Sequence, residues 1–293
     1  MQNCVRELIT SNKKTSLLLI DIGVWPFRDL LNNYPNRVKN IGIFEPGTIS
    51  IAAGLSLQGV TPTVYGISPF IVERSLEQLK LDFVYQKTGG NFITTGGSYE
   101  FSTLGYSHYC PEDISILYQL PGMDILTPAT PCQFETLWKA CALNGRPSYF
   151  RMTDYSCHRD VPVEYGKANV IKTGTKATVI CAAEIFDDVY NACSELDVNL
   201  LFYSTIQPFD INALLDHFNE KIIVCEPFFE GTLAQIITEK LQGKRVAIKS
   251  IGIPREVIRN YGNKLEKDSY YGLQAATLKN SILDFIRGRY KGD

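Results

Sequence analysis

The chain has little of what would mark a metalloprotein, a nucleic-acid binder or a membrane protein. Of its 293 residues only three are histidine, and His108, His158 and His217 form no HExxH motif and no Cys/His cluster. A transition-metal site built by this chain alone is therefore not expected. No run of Lys and Arg interrupts the sequence, and 29 basic side chains nearly cancel 31 acidic ones at a pI of about 6.0, so no nucleic-acid partner is expected. No apolar stretch approaches the roughly 20 residues that a membrane span needs. The N-terminal MQNCVRELITSNKK lacks the long apolar core and small-residue cleavage site of a leader, so a cytoplasmic location with no membrane contact is expected. Cysteine is not scarce, but the eight residues are scattered singly with no CxxC pair, and they read as reduced, buried small hydrophobes. There is no internal repeat and no low-complexity segment.

What is present is the composition of an ordinary globular protein, 45% hydrophobic and 20% charged, in a chain long enough for two domains at roughly 150 residues each. In the first half, 16–22, 61–66, 91–95, 123–127 and 148–152 read as strands, and apolar residues recur three and four apart near 48–58, 70–87, 112–120 and 132–144 as in helices. A polar connection, HRDVPVEYGKANVIKTGTK, precedes a second series. Its strands are expected at 177–182, 199–204, 221–226 and 245–251, and its helices near 184–196, 210–218, 231–242 and 275–288. Strands separated by helices pair in parallel through crossovers. The fold class expected is α/β, with two doubly wound α/β domains, 1–165 and a smaller 166–293, and the boundary falling near 160–175. That architecture hosts many functions and specifies no chemistry.

Chemistry enters with Asn40-Ile41-Gly42-Ile43-Phe44-Glu45-Pro46-Gly47-Thr48, which places one carboxylate in a Gly-flanked turn ahead of an apolar helix. Taken alone, Glu45 is better explained as an N-terminal helix carboxylate complementing the macrodipole. The stretch resembles the pyrimidine-binding domain of the transketolase family, in which a strand ends in G-[IV]-x-E before a helix with A-x-G-L-A. The resemblance continues in order. Ser68-Pro69-Phe70 with Arg74-Ser75-Leu76-Glu77-Gln78 is similar to S-x-F-x-x-x-R-A-x-[ED]-Q, and Gly105-Tyr106-Ser107-His108 with Pro111-Glu112-Asp113 is similar to G-x-T-H-Q-P-x-E. MDILTPAT and PSYFRM follow, and TIQPFD, VCEPFFEG and SIGIPREVIRNYG resemble the family's C-terminal domain, so the likeness runs from about residue 16 to 290.

The resemblance implies thiamine diphosphate, whose own rings do the carbon chemistry while the protein tunes them. Glu45 matches the family's carboxylate that hydrogen-bonds N1′ of the aminopyrimidine. Phe70 matches the aromatic that packs on the pyrimidine. Asp21 and Ile22, at the expected end of the first strand, fall on the cofactor's side, Ile22 corresponding to the apolar wedge between the two rings. His108 matches the residue that faces the thiazolium and a substrate oxygen. Each has a blander reading beside it: a core Phe, an ordinary strand-end Ile, a satisfied surface or core His.

A diphosphate site of the form GDG…N, where Mg2+ bridges the phosphates, has no counterpart, since the one Gly-Asp pair is Gly292-Asp293. The resemblance therefore implies the C-terminal-half subunit of a split enzyme. Its partner would be an N-terminal-half subunit with the diphosphate-binding domain and most of the Mg2+ ligands, in a heterotetramer with active sites between chains. Positions near the expected substrate depart from the family's pattern. Leu104 replaces a hydroxyl-reading Asp, Gly96 a phosphate-contacting His, Trp25 a Ser and Tyr109 a Gln, while Arg151 is kept as a substrate contact. A Leu in place of a hydroxyl partner weakens recognition of a polyhydroxylated acceptor. The reading implied is transfer of a two-carbon ketol unit from a ketose to an acceptor other than an ordinary pentose phosphate. Two alternatives stay open: the β subunit of a 2-oxo acid dehydrogenase or decarboxylating carboligase, and a non-catalytic regulatory paralogue.

Overall fold

In a computed structural model, which describes residues 1–289, the strands form two sheets. The first is built from β1 (Thr15–Leu19), β2 (Val38–Asn40), β3 (Thr61–Ile67), β4 (Gly90–Thr95), β5 (Asp124–Leu126) and β6 (Pro147–Arg151), and the second mainly from β7 (Ala168–Lys172), β8 (Thr178–Ala182) and β9 (Asn199–Tyr203). β10 (Thr205–Gln207) returns to the first sheet, and β11 (Lys221–Phe229) and β12 (Ala247–Ile253) complete the second. The orders are β10-β5-β6-β4-β3-β1-β2 and β12-β11-β8-β9-β7. The α/β class with parallel central strands is as expected. The Gly292-Asp293 pair and the last residues of the expected second domain lie outside the described residues. Among the described residues no helix is long and apolar enough to cross a membrane.

Strand residues alternate between two cores, as a sheet covered on both faces requires. Leu18, Val64, Phe92 and Tyr149 face one layer, packing with Ile49, Ala52 and Phe83. Leu17, Leu19, Ile93 and Phe150 face the other, where Phe134 and Trp138 stack at 5.7 Å. Six of the eight cysteines are buried and none is paired, while Cys4 is intermediate and Cys132 exposed.

Several elements differ from expectation. β1 ends at Leu19, not Ile22, because Asp21 takes φ +58° and donates its backbone N–H to Asn40 Oδ1 at 3.0 Å instead of continuing the ladder. The helix expected at 70–87 is broken into Ser68–Val72, Leu76–Gln78 and a π-helical turn, Leu79–Tyr85. At the break the Ser75 hydroxyl donates to Phe70 O at 3.0 Å. The polar connection contains β7, an antiparallel edge on β9. β10 joins β5 antiparallel, and Gln207 Nε2 holds it there by donating to Leu120 O and Met123 O at 3.2 and 2.8 Å. A segment of the second half thus completes the first sheet.

One buried carboxylate organises the second sheet. Glu226, fully buried near the end of β11, accepts the backbone N–H groups of Gly231 and Leu233 at 2.6 and 2.8 Å and so satisfies the start of the helix Thr232–Lys240. Burial pushes its carboxyl from 4.5 up to about 8, against the lowering by those amides. The folded state therefore binds this proton more tightly than the unfolded chain. Its stabilising contribution is full below about 4.5 and is lost as pH rises towards about 8. The Tm difference between wild type and Glu226→Gln should shrink as pH is raised through that window, since the amide does not titrate. A difference that stays constant by calorimetry would contradict the assignment.

Candidate active site

Glu45, Phe70 and His108 follow β2, β3 and β4 respectively, and so gather at the carboxyl ends of parallel strands, where open α/β sheets hold ligands. Leaving β2, the chain turns at Asn40, whose Oδ1 also accepts from Gly42 N at 3.3 Å, and Gly42 takes φ +83°. Glu45 is then the first residue of the helix Glu45–Leu57, which starts three residues before the 48 expected, so the carboxylate lies in the helix's first turn and not in the turn ahead of it. Pro46 follows where a missing N–H has no intrahelical partner to lose. A side chain at position 47 would collide with the Phe44 ring, so Gly47 lets that ring fold over the helix start.

Glu45 is 4% exposed, and its Oε2 accepts from Arg74 Nη1 at 2.9 Å. No other hydrogen bond reaches this carboxylate among the described residues, which leaves Oε1 without a protein partner. The Arg74 guanidinium lies 4.2 Å over the Phe70 ring, and Phe70 meets the partly buried His108 ring edge to face at 5.2 Å. Ser107 Oγ lies 3.1 Å from His108 Nδ1. The sequence brought three of these residues forward as site residues. Arg74 was visible only as a motif letter, and its pairing with Glu45 is a property of the fold.

Asp21, Ile22 and Trp25 lie in the turn after β1, at the same carboxyl edge, but no hydrogen bond or ring contact joins them to Glu45, Phe70 or His108 among the described residues. Asp21 instead exchanges hydrogen bonds with Asn40, and Trp25 is 77% exposed under the Arg28 guanidinium at 4.5 Å. Ile43 and Phe44, next to Glu45, are also largely exposed. Exposed apolar side chains thus flank the buried carboxylate at Ile43 and Phe44, and another, Trp25, follows β1 at the same edge of the sheet.

Leu104 is exposed on the loop leading to His108. At position 96 the backbone φ is +84°, and a Cβ would stand 2.5 Å from the Phe101 ring, so this loop has no room for a histidine there. Glu100 Oε2 accepts from Gly96 N at 2.6 Å, and burial pushes that carboxyl up to about 7.

Arg151 departs from its expectation. It is fully buried, its Nε on Asp113 at 3.0 Å, its Nη1 on Glu184 at 2.7 Å and its Nη2 on Ser98 Oγ. The Gly97 backbone lies against the guanidinium. A cation so enclosed and twice neutralised offers no face to a substrate. Its geometry is that of a clamp between the first sheet and the turn after β8.

Residues 12–156 match the family model described as the transketolase pyrimidine-binding domain. The chain is 32% identical over 284 residues to an uncharacterized protein of the fasciation locus of Rhodococcoides fascians, covering 95% of this chain and 91% of that protein. It is 31% identical over 272 residues to an apulose-4-phosphate transketolase subunit of Phocaeicola vulgatus, with 88% and 87% covered. Among solved structures, a split-gene transketolase described as an inactive β4 tetramer superposes with a TM-score of 0.87 over 99% of this chain and 97% of that one, at 21% identity, a likeness of fold.

Proposed function

Because this chain belongs to the transketolase family, in the split form in which the pyrimidine-binding half is a separate subunit, we propose that it completes a thiamine-diphosphate-dependent transferase of two-carbon ketol units. The observation that carries the proposal is the buried Glu45 with one oxygen held by Arg74 and the other free, beside the Phe70 and His108 rings.

These residues fit the cofactor. Glu45 Oε1 would meet the aminopyrimidine nitrogen, and Phe70 offers its ring an apolar surface. When bound, thiamine diphosphate supplies a stabilised carbanion equivalent for carrying the two-carbon unit. The protein's part is to hold protons. Glu45, shielded from water and countered by Arg74, would share one with the ring nitrogen. His108, with Nδ1 against Ser107, keeps Nε2 to exchange one with a substrate oxygen. The diphosphate and its Mg2+ would fall to a partner subunit that docks on the exposed Trp25, Ile43 and Phe44 side chains, giving a heterotetramer in the cytoplasm. That the solved split-gene relative is described as inactive as a β4 tetramer supports the need for both chains. The division near 165/166 is part of the same reading, the first unit holding the cofactor-facing groups.

The exposed Leu104 and the closed Gly96 position favour an acceptor other than an ordinary pentose phosphate, because neither hydroxyl reading nor a phosphate-contacting histidine is possible there. The test is an acceptor and donor screen on the reconstituted two-chain enzyme. Ketol transfer from a ketose with poor use of ribose 5-phosphate is expected. Efficient use of ribose 5-phosphate would overturn the acceptor assignment, and turnover of pyruvate-like donors in place of ketoses would overturn the reaction class.

A further inference from the structure

His108 sits on a long loop between β4 and the helix Asp113–Leu117, closed at its base by Cys110 N to Ser98 O at 2.7 Å and Phe229 N to Pro111 O at 2.9 Å, while around His108 its backbone bonds are local turns, such as His108 N to Gly105 O at 3.0 Å and Leu104 N to Phe101 O at 2.8 Å. Local turns of this kind do not fix where a loop stands relative to a sheet. The support comes from the second half of the chain. Tyr261 lays its ring against Gly105: a Cβ built there would be 2.8 Å from Tyr261 Cε1 and 3.1 Å from its hydroxyl. Gly105 also takes φ +84°, which an L side chain resists, so both the turn and the contact require glycine. The Tyr109 hydroxyl lies 3.1 Å from both Ser102 O and Asn260 O, and its single proton ties the base of the loop to the segment that carries Tyr261. The Tyr106 ring meets the Tyr109 ring edge to face at 6.1 Å.

The segment is itself fixed by an unusual group. Lys267, 1% exposed, donates to Asn260 O at 2.6 Å and to Asn260 Oδ1 at 2.8 Å, and its ammonium lies 5.1 Å over the Tyr109 ring. No carboxylate pairs with it among the described residues, since neighbouring Asp268 is engaged by Lys264 and the Tyr99 hydroxyl. Burying an ammonium against carbonyls and a ring alone is costly, and the surroundings must hold it there. Tyr261 is 69% exposed, and Leu104 and Tyr106, either side of Gly105, are exposed too, so this support also forms a rim beside the His108 loop.

We infer that Asn260 and Tyr261, anchored by Lys267, are positioning residues for the His108 loop, so that the second half of the chain sets how His108 meets the acceptor. The inference rests on the transferase reading for its kinetic consequence but not for its structural one. Two readouts therefore test it on the two-chain enzyme. In hydrogen exchange, Tyr261→Ala and Tyr109→Phe should speed exchange of amides 102–109 and leave β1 and β3 unchanged, whatever the activity is. In kinetics, Tyr261→Ala should lower kcat/KM for the acceptor by roughly 10- to 100-fold, the scale of a small misplacement, mainly through KM and with thiamine diphosphate affinity unchanged. Tyr261→Phe, which keeps the ring on Gly105, should restore both. Wild-type exchange in 102–109 of the alanine variant would overturn the coupling. Faster exchange with unaltered acceptor kinetics, or an equal loss of cofactor and acceptor binding, would overturn the positioning role. If wild type shows no ketol transfer, the transferase reading fails while the exchange result still decides the coupling.

Discussion

Glu45→Gln is expected to lower kcat of the reconstituted enzyme by about 10²- to 10⁴-fold, the usual worth of a positioned general acid or base. Stability should barely change. The variant keeps the shape of the side chain and its hydrogen bond from Arg74, and the ion pair it gives up has a partner whose side chain is 46% exposed, so its loss costs on the order of 1 kcal/mol or less. What it removes is a carboxylate able to share a proton at Oε1, the atom with no protein partner. Steady-state kinetics with matched circular dichroism melts separate the two effects. Full activity in Glu45→Gln would remove the residue from the mechanism, and a collapse of Tm would reassign it to the fold.

Arg151→Met is expected to do the reverse: to damage the fold far more than any binding step. It strips the cation from between Asp113 and Glu184, both essentially inaccessible, and leaves two carboxylates buried with no counter-charge. Asp113 keeps the Tyr149 hydroxyl at 2.9 Å and the Ile114 N–H at 2.8 Å, and burial already pushes its carboxyl up, opposed by Arg151. Breaking a buried pair in this way costs about 3–5 kcal/mol, or roughly 10 °C in Tm at this size. Because the guanidinium joins β6 to the turn after β8, the loss should also loosen the two halves against each other. Differential scanning calorimetry measures the first effect. A Tm within about 2 °C of wild type, with a raised substrate KM, would instead restore Arg151 as a substrate contact.

Much of this was legible in the chain, for reasons that can be named. Alternating apolar strands and helical periods report local burial, so β3, β4, β6, β8, β9 and β11 were readable where each side chain's partner lies on a predictable face. β7 and β10 were not, because three- to five-residue edge strands are made by the tertiary contacts they enter, such as the Gln207 amide on Leu120 and Met123. The helix expected at 70–87 was misread because apolar spacing runs on unbroken through a π-helical turn, which changes hydrogen bonding without changing polarity. Glu45, Phe70 and His108 were legible through motif order. That Arg74 holds Glu45, that Arg151 is sealed inside, and that Tyr261 rests on Gly105 are pairings between distant positions, and no single position carries a mark of its partner.

The most direct measurement is to purify this chain with whatever it binds in its native cells, identify the bound chains by mass spectrometry, and assay thiamine diphosphate and magnesium in the complex and in the isolated chain. A second chain with a GDG…N segment is predicted, with cofactor retained in the complex and lost on Glu45→Ala. A chain that comes out alone and holds no cofactor with any candidate partner would contradict the two-chain transferase and leave a protein that keeps the fold without the reaction.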